Sequence, residues 1–280
     1  MIRGGGPIQN AMSVDLEDWF CAYNMSGVVP RSAWATSELR VVQNTERLLA
    51  LFDRKGINVT FFVLGWIADR VPELIRKIDA RGHEIAVHGY QHLLLTQISK
   101  HEFEEDLDRS LKALDACGVR HKVVGFRAPS FSLVESTRWA LDILASRGLR
   151  YDSSVFPVSF HPDYGIPDSP LGPYMITSDM HEFPMGCVRV LGRNLACSGG
   201  GYLRLLPYLY TRTCLRKANG EGRPVVFYIH PWEIDPGQPR MPIPWLKRLR
   251  HYTGLGATER KLERLLTDFH FTTIRGVLGL

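Results

Sequence analysis

The run Val59 to Leu64, Val-Thr-Phe-Phe-Val-Leu, is rich in β-branched and aromatic residues and apolar on both faces. A strand with no solvated face belongs inside a parallel sheet covered by helices. The residues after it agree with that placement. Pro72 opens a helix that ends before Gly82, and Glu84 to Val87 reads as the next strand. The alternation extends in both directions. Ala11 to Leu16 is a short strand, and Leu39 to Arg54 carries Val41, Leu48, Leu49 and Phe52 at helical spacing before Gly56. Ser99 and Glu102 form a capping box ahead of a helix that runs to Cys117 and Gly118. Val123 to Phe126 and Arg150 to Ser153 are strands, with a helix from Ser136 to Arg147 between them. Repeated β-α units of this length predict an α/β fold with a parallel sheet, either open or closed into a barrel. In both arrangements the chemistry gathers at the carboxyl ends of the strands.

The pattern becomes irregular from about 156 to 206, through Pro157, Pro162, Pro167, Pro170, Pro173 and then Gly199-Gly200-Gly201. No independent core is visible there, so the segment reads as an excursion over the mouth of the sheet. A helix from Leu203 to Lys217, the strand Val225 to Ile229, a helix from Thr258 to Asp268 and a last strand from Phe269 to Ile274 complete the expectation. A chain of 280 residues can bury the core of one such domain. Its 45% hydrophobic and 22% charged residues are ordinary for a soluble globular protein.

The net charge is +5, and the excess is concentrated. Arg240, Lys247, Arg248, Arg250, Arg260, Lys261 and Arg264 stand against Glu259 and Glu263. That distribution fits a solvated basic face, or one that rests on an anionic membrane surface. Basic residues are not interleaved with any nucleic-acid-binding module, which argues against that class of partner. Cys21, Cys117, Cys187, Cys197 and Cys214 form no C-x-x-C pair, and their odd count argues against a disulfide framework. Met1 to Pro7 contain no apolar segment of signal-peptide length, and no run approaches a membrane span. The expected location is the cytoplasm, with the inner face of a membrane as a variant of it.

Residues able to do chemistry lie at or just past the ends of the expected strands: Asp15, His88, Arg127, Asp152 and His230. His88 and His92, at i and i+4, suit one cation if they share a helical turn. Asp15, Glu17 and Asp18 end the first strand. Asp15 and Glu17 point to the same side if the strand persists, whereas Asp18 joins them only if the chain turns there. Two imidazoles and a carboxylate can hold a divalent metal with positions left open for water and substrate. Each residue alone also has a plainer reading, as a packed histidine, a loop arginine or a turn carboxylate.

Taken in order, these motifs resemble the NodB-type polysaccharide deacetylases of carbohydrate esterase family four. The resemblance rests on the acidic motif after the first strand, His88-x-x-x-His92, Arg127-Ala128-Pro129, Asp152 and Ile229-His230, and covers about 11 to 235. Ser-Val-Asp-Leu-Glu-Asp-Trp, Phe-Arg-Ala-Pro-Ser-Phe-Ser, Tyr-Asp-Ser-Ser-Val-Phe-Pro and Ile-His-Pro-Trp-Glu resemble a narrower branch. That branch is encoded beside exopolysaccharide genes that accompany exosortase systems and carries an extra C-terminal region.

The resemblance implies a distorted (β/α)7 barrel over 1–235, with a basic extension over 236–280 packed on it. It implies a hydrolase that removes N-acetyl groups from the amino sugars of an exopolysaccharide or its lipid-linked precursor, with a divalent metal, Zn²⁺ being expected. Asp15 would be the general base, oriented by Arg127. His88 and His92 would bind the metal with one further carboxylate, Asp18 being preferred over Glu17. His230 would protonate the leaving amine, tuned by Asp152, and the Ser130 backbone N–H would receive the oxyanion. Trp19, Trp232 and Tyr90, which flank these motifs, are candidates to contact the sugar. Two positions depart from the family pattern: Leu16 separates the usual adjacent aspartates, and Ser130 replaces a tyrosine. Two other functions remain open, hydrolysis of a non-sugar or cyclic amide and saccharide binding without catalysis.

Overall fold

The computed structural model describes residues 6–159 and 165–280. Met1 to Gly5 and Pro162 of the expected excursion lie outside the described residues. In chain order the elements are β1 (Gln9–Leu16), α1 (Val41–Lys55), β2 (Thr60–Val63), α2 (Gly65–Arg70), α3 (Pro72–Ala80), β3 (Glu84–Val87), α4 (Lys100–Ala116), β4 (Gly125–Phe126), α5 (Ala140–Ser146) and β5 (Tyr151–Asp152). They continue as β6 (Tyr174–Met175), β7 (His181–Glu182), β8 (Cys187–Val190), β9 (Arg193–Ala196), α6 (Gly200–Leu205), α7 (Tyr208–Gly220), β10 (Val226–Ile229), α8 (Trp245–Tyr252), α9 (Leu255–Asp268), β11 (His270–Thr272) and α10 (Ile274–Leu278).

The fold is α/β with a curled parallel sheet. Its strand order is β10-β1-β2-β3-β4-β5-β7-β6, and every neighbour pair is parallel except β6 with β7. An isolated parallel bridge from Met185 to Val226 links the chain beyond β7 back to β10. The two-residue side-chain period sorts β1 between two cores. Met12, Val14 and Leu16 join the large core that packs the helices on the sheet, while Ala11 joins a second cluster with Phe62, Ala86, Tyr151, Phe183 and Val226. Ser13, Asp15 and Glu17 continue the Ala11 face, so the inner side of the sheet turns polar at its carboxyl end.

Three expectations need correction. The segment 156–206 is not only an excursion over the mouth, because it supplies β7 to the main sheet and the separate hairpin β8–β9. The helix expected over Leu203 to Lys217 is two helices. Pro207 cannot donate the backbone hydrogen bond that would join them, and the Lys261 ammonium donates to the exposed carbonyls of Leu203, Arg204 and Leu206. The C-terminal segment is more than a packed extension. β11 pairs in parallel with the first residues of β1, and the N–H groups of Ile274 and Arg275 donate to Thr60 and Glu84.

Candidate active site

Four strand ends bring the site together. Asp15 and Glu17 come from the end of β1, His88 follows β3, Arg127 follows β4 and His230 follows β10. β10 and β1 are adjacent in the sheet, so His230 and the two acids meet although they are more than 200 positions apart.

The histidine pair does not sit on a helical turn. His88 and His92 belong to a loop that turns at Gly89 (φ 70°) and ends with His92 itself left-handed (φ 54°). The Asp106 carboxylate on α4 clamps that loop by accepting from the N–H groups of Tyr90, at 2.7 Å, and Gln91, at 3.0 Å. A Cβ on Gly89 would lie 2.9 Å from the same carboxylate. The outcome resembles the one helical spacing promised, with ring centroids 5.5 Å apart.

Glu17, His88 and His92 each offer a ligand atom, all within 4.8 Å of one another. Glu17 Oε2 is buried and lies 3.1 Å from His92 Nε2, yet it makes no hydrogen bond. Burial favours the neutral acid, but the imidazoles of His92 and His230 outweigh it and hold the carboxyl at about 2. His88 is pulled down to about 4 by burial, and its Nδ1 lies 2.9 Å from the Arg127 carbonyl. A neutral ring that donates from Nδ1 keeps its Nε2 lone pair for a cation. An anionic oxygen without a hydrogen bond beside two imidazoles fits a divalent ion.

Asp18 is corrected as the third ligand. Its Oδ1 accepts from the Trp19 N–H at 2.8 Å, and its Oδ2 accepts from the N–H groups of Arg40 and Val41 at 2.7 and 2.8 Å. The carboxylate therefore serves the start of α1, and burial raises it to about 6. The strand persists through Leu16, so Glu17 takes the side that Asp15 shares.

Arg127 is fully buried and spreads over four partners. It donates to Asp15 Oδ1 at 2.5 Å, Ser13 Oγ at 2.8 Å, the Ser153 carbonyl at 2.9 Å and Ser153 Oγ at 3.0 Å. Asp15 Oδ2 lies 3.9 Å from His230 Nε2, which is also 3.4 Å from Glu17 Oε1.

Asp152 does not reach His230. It accepts from the Ser154 hydroxyl at 2.6 Å and N–H at 3.0 Å, and burial raises both it and its hydrogen-bonded neighbour Glu182. Glu233 holds the imidazole instead, with Oε2 3.0 Å from His230 Nδ1. Arg204 in turn donates to Glu233 Oε1 at 2.9 Å and to the carbonyls of Arg250, His251 and Thr253. Burial alone would lower the His230 pKa, but Glu17, Glu233 and Asp15 together raise it to about 9. Glu233 is held at about 2 against its own burial by Arg204 and His230. The signal for Glu233 was present in Ile-His-Pro-Trp-Glu, an acid three residues after the histidine that folds back on it. Arg204 carried no such signal, because its partner is 29 positions away.

Of the aromatic candidates, only Trp232 lines the cavity, which measures about 310 Å³. Its indole N–H donates to Glu17 Oε1 at 3.2 Å, and its ring stacks with His251 and His230 at 4.3 and 5.1 Å. Trp19 is buried in the large core with its N–H on the Glu38 carbonyl, and Tyr90 is buried with its hydroxyl on Asp69 and Arg109 over its ring. Both are corrected as sugar contacts. Ser130 lines the cavity in a left-handed conformation (φ 52°). Tyr23, Asn24, Leu246, Lys247 and Arg250, none of them singled out in sequence as site residues, also line it.

An α/β sheet whose carboxyl ends gather two imidazoles, a carboxylate with one oxygen free of hydrogen bonds and an acid–base pair is the class of scaffold that supports metal-assisted hydrolysis. Similarity to known proteins narrows that class. Residues 30–151 match the family model described as polysaccharide deacetylase, and residues 153–279 match one described as a domain of unknown function, DUF3473. His88, His92 and Arg127 lie within the part of the chain that resembles polysaccharide deacetylases.

A peptidoglycan deacetylase-like protein of Gibberella zeae is 33% identical over 111 residues, 39% of this chain and 32% of that protein. A peptidoglycan deacetylase of Helicobacter pylori is 29% identical over 119 residues, 42% of this chain and 39% of that protein. These matches span between about a third and two fifths of the curated relatives' length. Among solved structures, a putative polysaccharide deacetylase from Mycobacterium smegmatis has a TM-score of 0.61 at 20% identity, covering 100% of this chain and 94% of that one. An allantoinase has a TM-score of 0.63 at 15% identity, covering 98% and 90%. At those identities the structural likeness speaks to fold alone.

Proposed function

We propose that this protein is a metal-dependent N-deacetylase acting on amino sugars of an exopolysaccharide or its lipid-linked precursor. The observation that carries the reading is the meeting, in one cavity, of Glu17, His88 and His92 with Asp15, backed by the buried Arg127, and with the pair His230–Glu233. We read residues 1–235 as a seven-stranded barrel of the NodB type, closed through the Met185–Val226 bridge. Residues 236–280 then form an extension that completes the cavity wall through α8. Free, buried thiols at all five cysteines support our placing the protein in a reducing compartment, the cytoplasm.

Glu17, His88 and His92 would hold the ion, and the two-imidazole, one-carboxylate set favours zinc. Such an ion, when bound, acidifies water and polarises a carbonyl. Asp15 is the base we assign. Arg127 lies against one of its oxygens and fixes the carboxylate in place, leaving the other to take a proton from the attacking water. Attack turns the acetyl carbonyl into a tetrahedral oxyanion, for which the Ser130 backbone N–H is the donor we assign. An amine cannot leave as an anion, so its nitrogen must be protonated as the C–N bond breaks. His230, charged because three carboxylates surround it, is positioned to donate that proton. Glu233 keeps the ring oriented from behind, as an acid does for any imidazole that shuttles protons. The products are acetate and the free amino sugar.

The test is acetate release from N-acetylglucosamine oligomers, before and after metal is stripped and zinc restored. Release that disappears with chelation and returns with zinc is expected. The likeness of fold to an allantoinase favours one second reading, hydrolysis of a cyclic amide. Allantoin consumed while the oligomers stay intact would establish that alternative. Retention of acetylated oligomers without any acetate would mark a binding protein instead.

A further inference from the structure

The helix α8, Trp-Leu-Lys-Arg-Leu-Arg-His-Tyr, buries only His251 and Tyr252. Trp245 is 72% exposed, Leu246 60% and Leu249 55%. At 100° per residue these three occupy one sector, with Arg248 on one flank and Arg250 then Lys247 on the other. α6 packs against α8 and ends in Leu205, and Leu209 opens outward on α7. Five of the ten large apolar side chains exposed among the described residues therefore belong to this one region. No ion pair occupies Lys247, Arg248 or Arg250 among the described residues. No helix of the described residues is long and apolar enough to cross a membrane.

We infer that α8 docks the protein on an anionic phospholipid surface, with Trp245, Leu246 and Leu249 entering the interface and Arg248, Arg250 and Lys247 meeting the headgroups. A bulky apolar face bordered by cations is the composition that lies in the plane of a charged bilayer. Charge decides against a second copy of the chain as occupant, since a symmetric contact would set these unpaired cations against one another. Leu246, Lys247 and Arg250 also line the catalytic cavity, so docking brings its mouth to the bilayer surface. Docking stands independently of the deacetylase reading. Only the consequence rests on that reading: a saccharide anchored in the membrane by a lipid would reach the site without leaving the surface.

The full chain would be sedimented with vesicles of phosphatidylcholine and with vesicles of equal phosphatidylcholine and phosphatidylglycerol, at low and high salt. Binding to the anionic vesicles alone, released by salt, is expected. The double variant W245A/L249A, whose positions lie outside the cavity lining, should lose about tenfold or more of vesicle affinity while acetate release from soluble oligomers is unchanged. R248E should weaken binding in the same way. Equal binding to both vesicle types, no binding, or a double variant that sediments like the wild type would overturn the inference. So would light scattering that shows a wild-type dimer dissolved by W245A/L249A, because the face would then belong to a second copy. Vesicle binding without any acetate release would sustain the docking and count against the deacetylase alone.

Discussion

Glu17 and Asp18 are neighbours in sequence with opposite duties, and substitution should separate them. Glu17→Gln removes the carboxylate we assign to the ion and should strip the metal, as read by elemental analysis of the purified protein. Asp18→Asn should retain the metal but weaken the start of α1, at a cost of about 0.5–2 kcal/mol, the range for lost helix caps, seen as a lower melting temperature. Metal lost from the Asp18 variant and kept by the Glu17 variant would reverse the assignment. Asp15→Asn should lower kcat by about 10²–10⁴-fold, the usual range for a general base, with metal content near normal. Glu233→Gln removes one of the carboxylates that raise His230 to about 9. The alkaline limb of kcat/KM should then move to lower pH; an unmoved limb would separate Glu233 from the proton donor.

Elements carry the site as much as residues do. α6 brings Gly200 so close to the His230–Glu233 pair that a Cβ there would lie 1.8 Å from Glu233 Oε2. Gly200→Ala should therefore displace Glu233 and reduce turnover with little change in metal content, and the analogous Gly201→Ala, with nothing within 4 Å, serves as its control for stability. At the other end of the sheet, α10 and β11 hold the beginning of β1. Glu84 accepts from Thr60 at 2.6 Å, from Tyr151 at 2.8 Å and from the Arg275 N–H at 3.1 Å, so the C-terminal turn joins the floor of three strands. Deletion of residues 269–280 would leave that buried acid under-bonded and an edge of β1 unpaired, and aggregated protein on expression is the expected result.

For the whole molecule, buried imidazoles set the response to pH when metal is absent. Burial lowers His83 to about 4 and His251 to about 3, from an ordinary 6.5. The unfolded chain then binds protons first, so stability is intact above about pH 6.5 and declines as pH falls toward 4. His230 works in the opposite sense. Its folded value is raised to about 9, so its contribution is complete below 6.5 and is lost as pH rises through 9. Denaturant midpoints of metal-free protein should therefore peak near pH 6.5. A flat profile from pH 5 to 9 would mean that these groups titrate alike in both states.

The strands Ala11 to Leu16, Val59 to Leu64 and Glu84 to Val87, the capping box at Ser99 and the order of catalytic candidates were legible in the chain, because each is written in neighbouring residues. Periodicity, capping and residues adjoining a strand end are local properties. The same locality explains Glu17: once β1 persists to Leu16, alternation alone puts Glu17 beside Asp15. What no local pattern held was the choice of partner. Asp152 was the family-like acid for His230, yet its carboxylate is taken up by Ser154 and Glu182. Glu233 took that position because the chain after β10 turns back at once, and Arg204 secured it from a helix that reaches the site only through packing. The breaks in the β-α rhythm between 156 and 206 were likewise decided by the sheet, since strands of two residues have no periodicity to read and exist only where a neighbour's backbone accepts them.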